Sequence, residues 1–137
     1  MKFSVIVPVY KTGRDIDRCM NALLEQDYPQ ADYEVIAIDN GSTDDSRERL
    51  SRYPVTVVRE SRRGSYAARN AGLRQASGEL LAFTDSDCAP RPGWLKAIDS
   101  ALLSPECQVV QGKRLLSAHS GLMQAINDYE ITKDAYA

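Results

Sequence analysis

Short apolar runs that recur along the chain limit its fold more than any other feature. They are Phe3-Ser-Val-Ile-Val7, Tyr33-Glu-Val-Ile-Ala-Ile38, Val55-Thr-Val-Val58 and Glu79-Leu-Leu-Ala-Phe-Thr84, and polar stretches separate them. Nearly continuous apolar runs of this length suit strands that are covered on both faces. The first is closed by Pro8 on this reading, and the second ends at an acid, Asp39. Between them Ile16, Cys19, Met20, Leu23 and Leu24 fall on one helical stripe, which predicts a helix over about residues 14–26. Ser42-x-x-Asp45 reads as a capping box that opens a polar helix of about eight residues through Arg52. Tyr66, Ala67, Asn70, Ala71, Leu73 and Arg74 repeat with helical spacing, and Gly78 marks the end of that helix. Pro90 and Pro92 delay a further helix with Leu95, Ile98, Leu102 and Leu103 on its apolar face. Gln108-Val-Val-Gln111 predicts one more strand, and Leu122, Ile126, Tyr129 and Ile131 give His119 to Ala135 a helical pattern.

Strands that alternate with helices over short connections imply a parallel sheet with helices on its faces, because each parallel step needs a crossover. The expected fold class is therefore α/β and Rossmann-like. With 137 residues, 43% of them hydrophobic, the chain can bury one core, so residues 1–137 are expected to form a single domain. A net charge of −2 gives no broad positive field, which argues against nucleic acid as a partner. Cys19, Cys88 and Cys107 lack CxxC spacing and read as reduced, mostly buried thiols of a cytosolic protein. The apolar run after Met1-Lys2 is too short for a signal sequence or a membrane span, and none is expected elsewhere.

In such a sheet, ligands bind where the strands end at their C-terminal side. Pro8-Val9-Tyr10 follows the first strand, Asp39-Asn-Gly-Ser42 the second and Asp85-Ser86-Asp87 the fourth, so these loops are expected to converge on one rim. Two acids at one strand end repel unless a cation offsets them, and hard carboxylate oxygens suit Mg²⁺ or Mn²⁺. A turn with two solvated acids is the commoner meaning of Asp-x-Asp; its place after a buried strand favours the metal. Gly41 and Ser42 fit an ordinary β-to-α connection, but Asp39, at the end of an apolar strand, needs a donor.

The segments Ser4-Val-Ile-Val-Pro-Val-Tyr10, Ile38-Asp-Asn-Gly-Ser-Thr-Asp44, Ala68-Arg-Asn-Ala-Gly72 and Phe83-Thr-Asp-Ser-Asp87 closely resemble family 2 glycosyltransferases in order and spacing, over nearly the whole chain. The resemblance implies the GT-A fold, a Rossmann-like three-layer α/β sandwich with a mostly parallel central sheet. It also implies an inverting transfer from a UDP-, GDP- or dTDP-linked sugar, with a divalent metal. Carried over by residue, it implies that Pro8, Val9 and Tyr10 line the base pocket, with the Tyr10 ring a stacking face, and that Asp39 accepts from the base. Asp85 and Ser86 would lie by the ribose and sugar-phosphate, Arg69 would hold the donor or Asp85, and Asp87 would be the metal ligand, for Mn or Mg. Arg59, Arg62 and Arg63 form a cationic loop that reads as a solvated face rather than a phosphate contact.

Lys11-Thr12 stands where family members often carry Asn-Glu, and the family's general base lies well downstream of the metal motif. Asp128 and Glu130 fall in the expected last helix and too early to match, so they read as surface residues, and the base is expected beyond Ala137. The chain thus reads as an N-terminal donor-binding portion, truncated at its C-terminal side, with an exposed sheet edge that favours self-association. The acceptor, a glycan, a lipid or another molecule, is left open; the expected location is the cytoplasm, with a peripheral place on the inner face of a membrane as the alternative for the full-length protein. A sugar nucleotidyltransferase would share the layout but carry a Gly-rich basic loop after the first strand, and a dehydrogenase would carry G-x-G-x-x-G there; Pro8-Val-Tyr-Lys-Thr-Gly13 has neither. A non-catalytic nucleotide-binding module is the remaining alternative.

Overall fold

In a computed structural model, the structure describes residues 1–115 and 128–132, with side chains for residues 1–112. A parallel sheet of order β3-β2-β1-β4 is built from β1 (Phe3–Val9), β2 (Tyr33–Asp39), β3 (Thr56–Arg59) and β4 (Leu80–Phe83). Helices α1 (Asp15–Leu24), α2 (Ser46–Leu50), α3 (Ser65–Gln75) and α4 (Trp94–Leu102) connect and cover it. Strands β5 (Gln111–Leu115) and β6 (Asp128–Thr132) form a separate antiparallel pair.

Alternation along the central strands makes the layers. Phe3, Val5, Val7 and Val9 of β1, with Val35 and Ala37 of β2, pack in one cluster with Ile16, Met20 and Leu23 of α1 and Leu95 and Ile98 of α4. Ile6, Ile36 and Ile38 point to the other face, against Ala68 and Ala71 of α3. Both faces being buried, β1 and β2 read as continuous apolar runs. Gly72 lets α3 lie close on its face, since a Cβ there would stand 2.6 Å from Ile6 Cγ2 and 2.8 Å from Ile38 Cδ1.

Several local expectations are corrected. Pro8 does not end β1, which runs on to Val9. The carbonyls of Lys2 and Ile6 accept from Leu80 and Thr84 on the β4 side, whereas Val9 accepts from Asn40 on the β2 side. Parity turns the nitrogen of Pro8 toward β4, two residues past the end of that pairing, where no donor is needed. Ser42 does not cap α2, which has five residues; the Asp44 carboxylate accepts from Ser46 N–H at 3.0 Å instead. The strand expected at Gln108–Gln111 is shifted to Gln111–Leu115.

The helical reading of His119 to Ala135 fails where it is described, because Asp128 and Glu130 lie in β6. Asp-Tyr-Glu-Ile-Thr alternates polar and apolar residues with a period of two, and pairing with β5 satisfies that period. The rest of that helix lies outside the described residues. Cys19 and Cys88 are buried as expected and Cys107 is half-buried, all three as free thiols. Among the described residues no helix is long and apolar enough to cross a membrane.

Candidate functional site

The chain builds outward from β1 in two directions, β2 and β3 on one side and β4 on the other. The loops leaving the C-terminal ends of β1 and β4 therefore diverge, and a crevice opens between them. A cleft of about 620 Å³ lies there. Pro8, Val9 and Tyr10 line it from the β1 side and Asp85, Ser86 and Asp87 from the β4 side.

The β1 loop is held by hydroxyls from the α2 side. Ser42 Oγ accepts from Lys11 N–H at 3.1 Å, and Ser46 Oγ accepts from both Thr12 and Gly13 N–H at 3.0 Å. These bonds offset the strain of Lys11, a non-glycine residue at φ 48°, a left-handed conformation that costs on the order of 1–2 kcal/mol. Tyr10 is left 47% exposed, with its ring open to the cleft side and Lys11 Nζ 5.2 Å from its centroid. Thr12 Oγ1 and Ser86 Oγ lie 2.6 Å apart and join this loop to the acidic one.

In the acidic loop, Arg69 of α3 donates to Asp85 Oδ1 at 3.2 Å across a half-exposed pair. Cys88, buried beneath, donates its thiol to Asp87 Oδ1 at 3.4 Å. Ligand atoms of Asp85, Asp87 and Cys88 all lie within 4.8 Å of one another. The carboxylate pair fits a hard divalent cation such as Mn²⁺ or Mg²⁺, with the thiol as a hydrogen-bond partner of Asp87. Deeper still, burial pushes the Cys19 thiol far up from its ordinary value, and its Sγ donates to the Asp85 carbonyl at 3.6 Å.

Two expected site residues stand back from the cleft wall. Asp39 is buried, and its Oδ1 accepts from Ser42 N–H at 2.9 Å, so the turn supplies the donor that a strand-end acid requires. Arg69 reaches the site through Asp85. Conversely, Lys11, Thr12, Asp15 and Gly64 line the cleft without having been singled out for it by sequence; Asn40 lines it from the loop expected on that rim, and Arg63 lines it although it read as part of a solvated face. For Asn40 the available signal was a buried amide beside a turn, which must find partners for two donors and an acceptor. Arg63 had no local signal, because a run of arginines on a loop reads the same whether or not a cleft lies beneath it.

A match to "Glycosyl transferase family 2" spans residues 4–121. The glycosyltransferase AglE of Haloferax volcanii is 39% identical over 115 residues, which are 80% of this chain and 38% of AglE. Staphylococcus aureus TarS 1–349, solved in complex with UDP, superposes with a TM-score of 0.78 at 31% identity, over 90% of this chain and 38% of that one. The mannosyltransferase PcManGT of Pyrobaculum calidifontis, solved with GDP-Man and Mn²⁺, gives 0.69 at 29% identity, over 85% of this chain and 36% of that one. The chain thus spans well under half the length of these relatives, and its α/β fold with a parallel central sheet is that of GT-A enzymes. By the extent of the family match and the order of its motifs, the chain belongs to glycosyl transferase family 2.

Proposed function

We propose that this chain is the donor-binding domain of a metal-dependent glycosyltransferase that takes a nucleoside diphosphate sugar and transfers the sugar with inversion. The observation that carries the reading is the meeting of the Pro8–Tyr10 and Asp85–Asp87 loops around one cleft at the strand ends. Relatives solved with UDP, UDP-GlcNAc, or GDP-Man and Mn²⁺ support it.

On this reading Pro8, Val9 and Tyr10 hold the base, with the Tyr10 ring against its face. Asp39 acts at the back of the pocket, where its second oxygen accepts from a base N–H. Asp85 and Ser86 face the ribose and sugar-phosphate, and Arg69 keeps the Asp85 carboxylate aimed. Asp87 would hold the metal, and Mn²⁺ or Mg²⁺ bound there would offset the charge that develops on the leaving diphosphate. In the transfer an acceptor hydroxyl bonds to the anomeric carbon as its bond to the diphosphate breaks. The nucleoside diphosphate departs, and the hydroxyl proton passes to a general base. We assign the protein to the cytoplasm and place self-association of this chain at the β4 edge, where Leu81 and Phe83 are exposed.

Calorimetric titration of UDP, GDP and dTDP with and without Mn²⁺ tests the reading. One of them should bind with metal dependence, and Asp87→Ala should abolish that dependence while the protein stays folded. Unchanged metal-dependent affinity in folded Asp87→Ala would remove Asp87 from the site.

A further inference from the structure

Asn40 follows β2, is almost completely buried and has both ends of its amide engaged. Its Nδ2 donates to the carbonyls of Glu60 at 3.1 Å and Arg62 at 2.6 Å, and its Oδ1 accepts from Gly64 N–H at 3.0 Å. Its backbone N–H meanwhile donates to Val9 O at 2.9 Å, at the end of β1. One side chain thus fixes three points of the loop between β3 and α3 to the strand ends that frame the cleft. Gly64, at φ 114°, supplies a backbone turn that a side-chain-bearing residue rarely adopts.

Between the clamped points stands Arg63. Its neighbour Arg62 faces Glu60 at 3.7 Å, and Arg74 faces the same acid at 3.2 Å. Arg63 has no acid partner among the described residues and lines the same cleft as Asp85 and Asp87. A diphosphate carries more negative charge than one divalent cation neutralises, and Arg69 is already engaged by Asp85. A guanidinium offers phosphate a planar fork of donors, and a loop held in place gives up little freedom when it binds.

We propose that Arg63 binds a diphosphate oxygen of the donor and that Asn40 is the positioning residue that holds the Arg62–Gly64 loop for it. The inference rests on the nucleotide-sugar reading above and adds to it a specificity for diphosphate over monophosphate.

The test is calorimetry on the full chain in Mn²⁺ with UDP, GDP, UMP and GMP. Arg63→Gln should weaken UDP or GDP binding by about tenfold and leave UMP or GMP within about twofold, and Arg63→Lys should recover part of the loss. Asn40→Ala should produce a similar loss. The double variant should lose little more than either single one, because both changes remove the same contact. Should Asn40→Ala fail to fold by circular dichroism, Asn40→Asp, which keeps the acceptor for Gly64 N–H, takes its place. Wild-type affinity for the diphosphates in Arg63→Gln, equal losses for mono- and diphosphates, or losses that multiply in the double variant would each overturn the proposal and leave the nucleotide reading standing. If the wild-type chain binds none of UDP, GDP and dTDP, both fall; if it binds dTDP alone, the same comparison is made with dTDP and dTMP.

Discussion

The hydroxyls of Thr12 and Ser86, 74 positions apart in sequence, meet at 2.6 Å and tie the loop after β1 to the loop after β4. The Thr12 backbone N–H also donates to Ser46 Oγ, so the hydroxyl bond joins two parts of the cleft that leave the sheet on opposite sides of its switch point. Replacing the hydroxyl by a methyl of the same shape removes the join without opening a cavity.

Thr12→Val is therefore expected to cost about 1 kcal/mol of stability, the net worth of one such bond. It should also weaken metal-dependent nucleotide binding, since Ser86 is then free to turn. Urea unfolding and calorimetry on the same sample read both effects; a variant with unaltered midpoint and affinity would make the contact incidental.

Asp39 tests how far a turn residue can also serve a ligand. One of its oxygens accepts from Ser42 N–H, so Asp39→Asn can keep that bond through its carbonyl while the second oxygen becomes an amide donor. If the second oxygen faces the base, nucleoside diphosphate affinity should fall by about 1–3 kcal/mol with metal dependence intact. Unchanged affinity would confine Asp39 to the turn.

The contrast between these residues explains what could be read in advance. The apolar runs gave the parallel sheet, because burial of both faces leaves its mark on every residue of β1 and β2. The Pro8–Tyr10 and Asp85–Asp87 loops could be placed together, because strand ends in such a sheet share one rim. Asn40, Thr12 and Arg63 could not, because their roles depend on partners 20 or more positions away, such as Glu60 for Asn40 and Ser86 for Thr12. Ser42 shows the same limit: its spacing to Asp45 suggested a cap, yet its hydroxyl is taken by Lys11 N–H from another loop. In β6, Tyr129 continues the helical spacing of Leu122 and Ile126, whereas Tyr129 and Ile131, two positions apart, fit a strand, and the neighbour β5 decides between them.

Acid should loosen the fold through carboxylates held at both ends of the sheet, Glu34 and Asp99 away from the cleft and Asp17, Asp44 and Glu60 nearer to it. Burial alone would raise the Glu34 carboxyl, but Ser4 Oγ–H at 2.6 Å, Ser77 N–H at 2.8 Å and Ser77 Oγ–H at 2.7 Å outweigh it and hold the group below its ordinary value. Asp17, through the Tyr53 hydroxyl and then Arg49, and Asp99, through Lys2 and then Tyr28, are lowered in the same way. A carboxyl depressed in the folded state stabilises fully above its unfolded pKa, and that contribution is lost as pH falls through the folded one. Thermal midpoints should thus hold steady from neutral pH down to about 5 and drop below the ordinary glutamate range near 4.3. Glu34→Gln should start lower and show a shallower acid drop; an identical pH profile would show that its bonds are not coupled to folding.

The last prediction concerns Gly78 and Gly72, both of which lack room for a Cβ, but against different neighbours. At Gly78 the added carbon would stand 2.5 Å from Ser4 N and 2.6 Å from the Phe3 carbonyl carbon, the backbone of a central strand. That strand is paired on both sides, to Tyr33 and Leu80 at Phe3, so it cannot yield without disturbing two ladders. Displacing Gly78 instead breaks its N–H bond to Ser4 Oγ at 2.8 Å, which belongs to the same network as Glu34. At Gly72 the neighbours are side-chain atoms, Ile6 Cγ2 and Ile38 Cδ1, which can shift at an overpacking cost of about 1–3 kcal/mol. Part of that is returned, because alanine inside a helix is better than glycine by about 1 kcal/mol. Gly78→Ala should consequently lower stability by about 2–4 kcal/mol and Gly72→Ala by no more than about 2, read from urea midpoints at constant slope. A Gly72→Ala variant that is the less stable of the two would mean that the packing of α3 on Ile6 and Ile38, and not the β1 backbone, is the less yielding part of this fold.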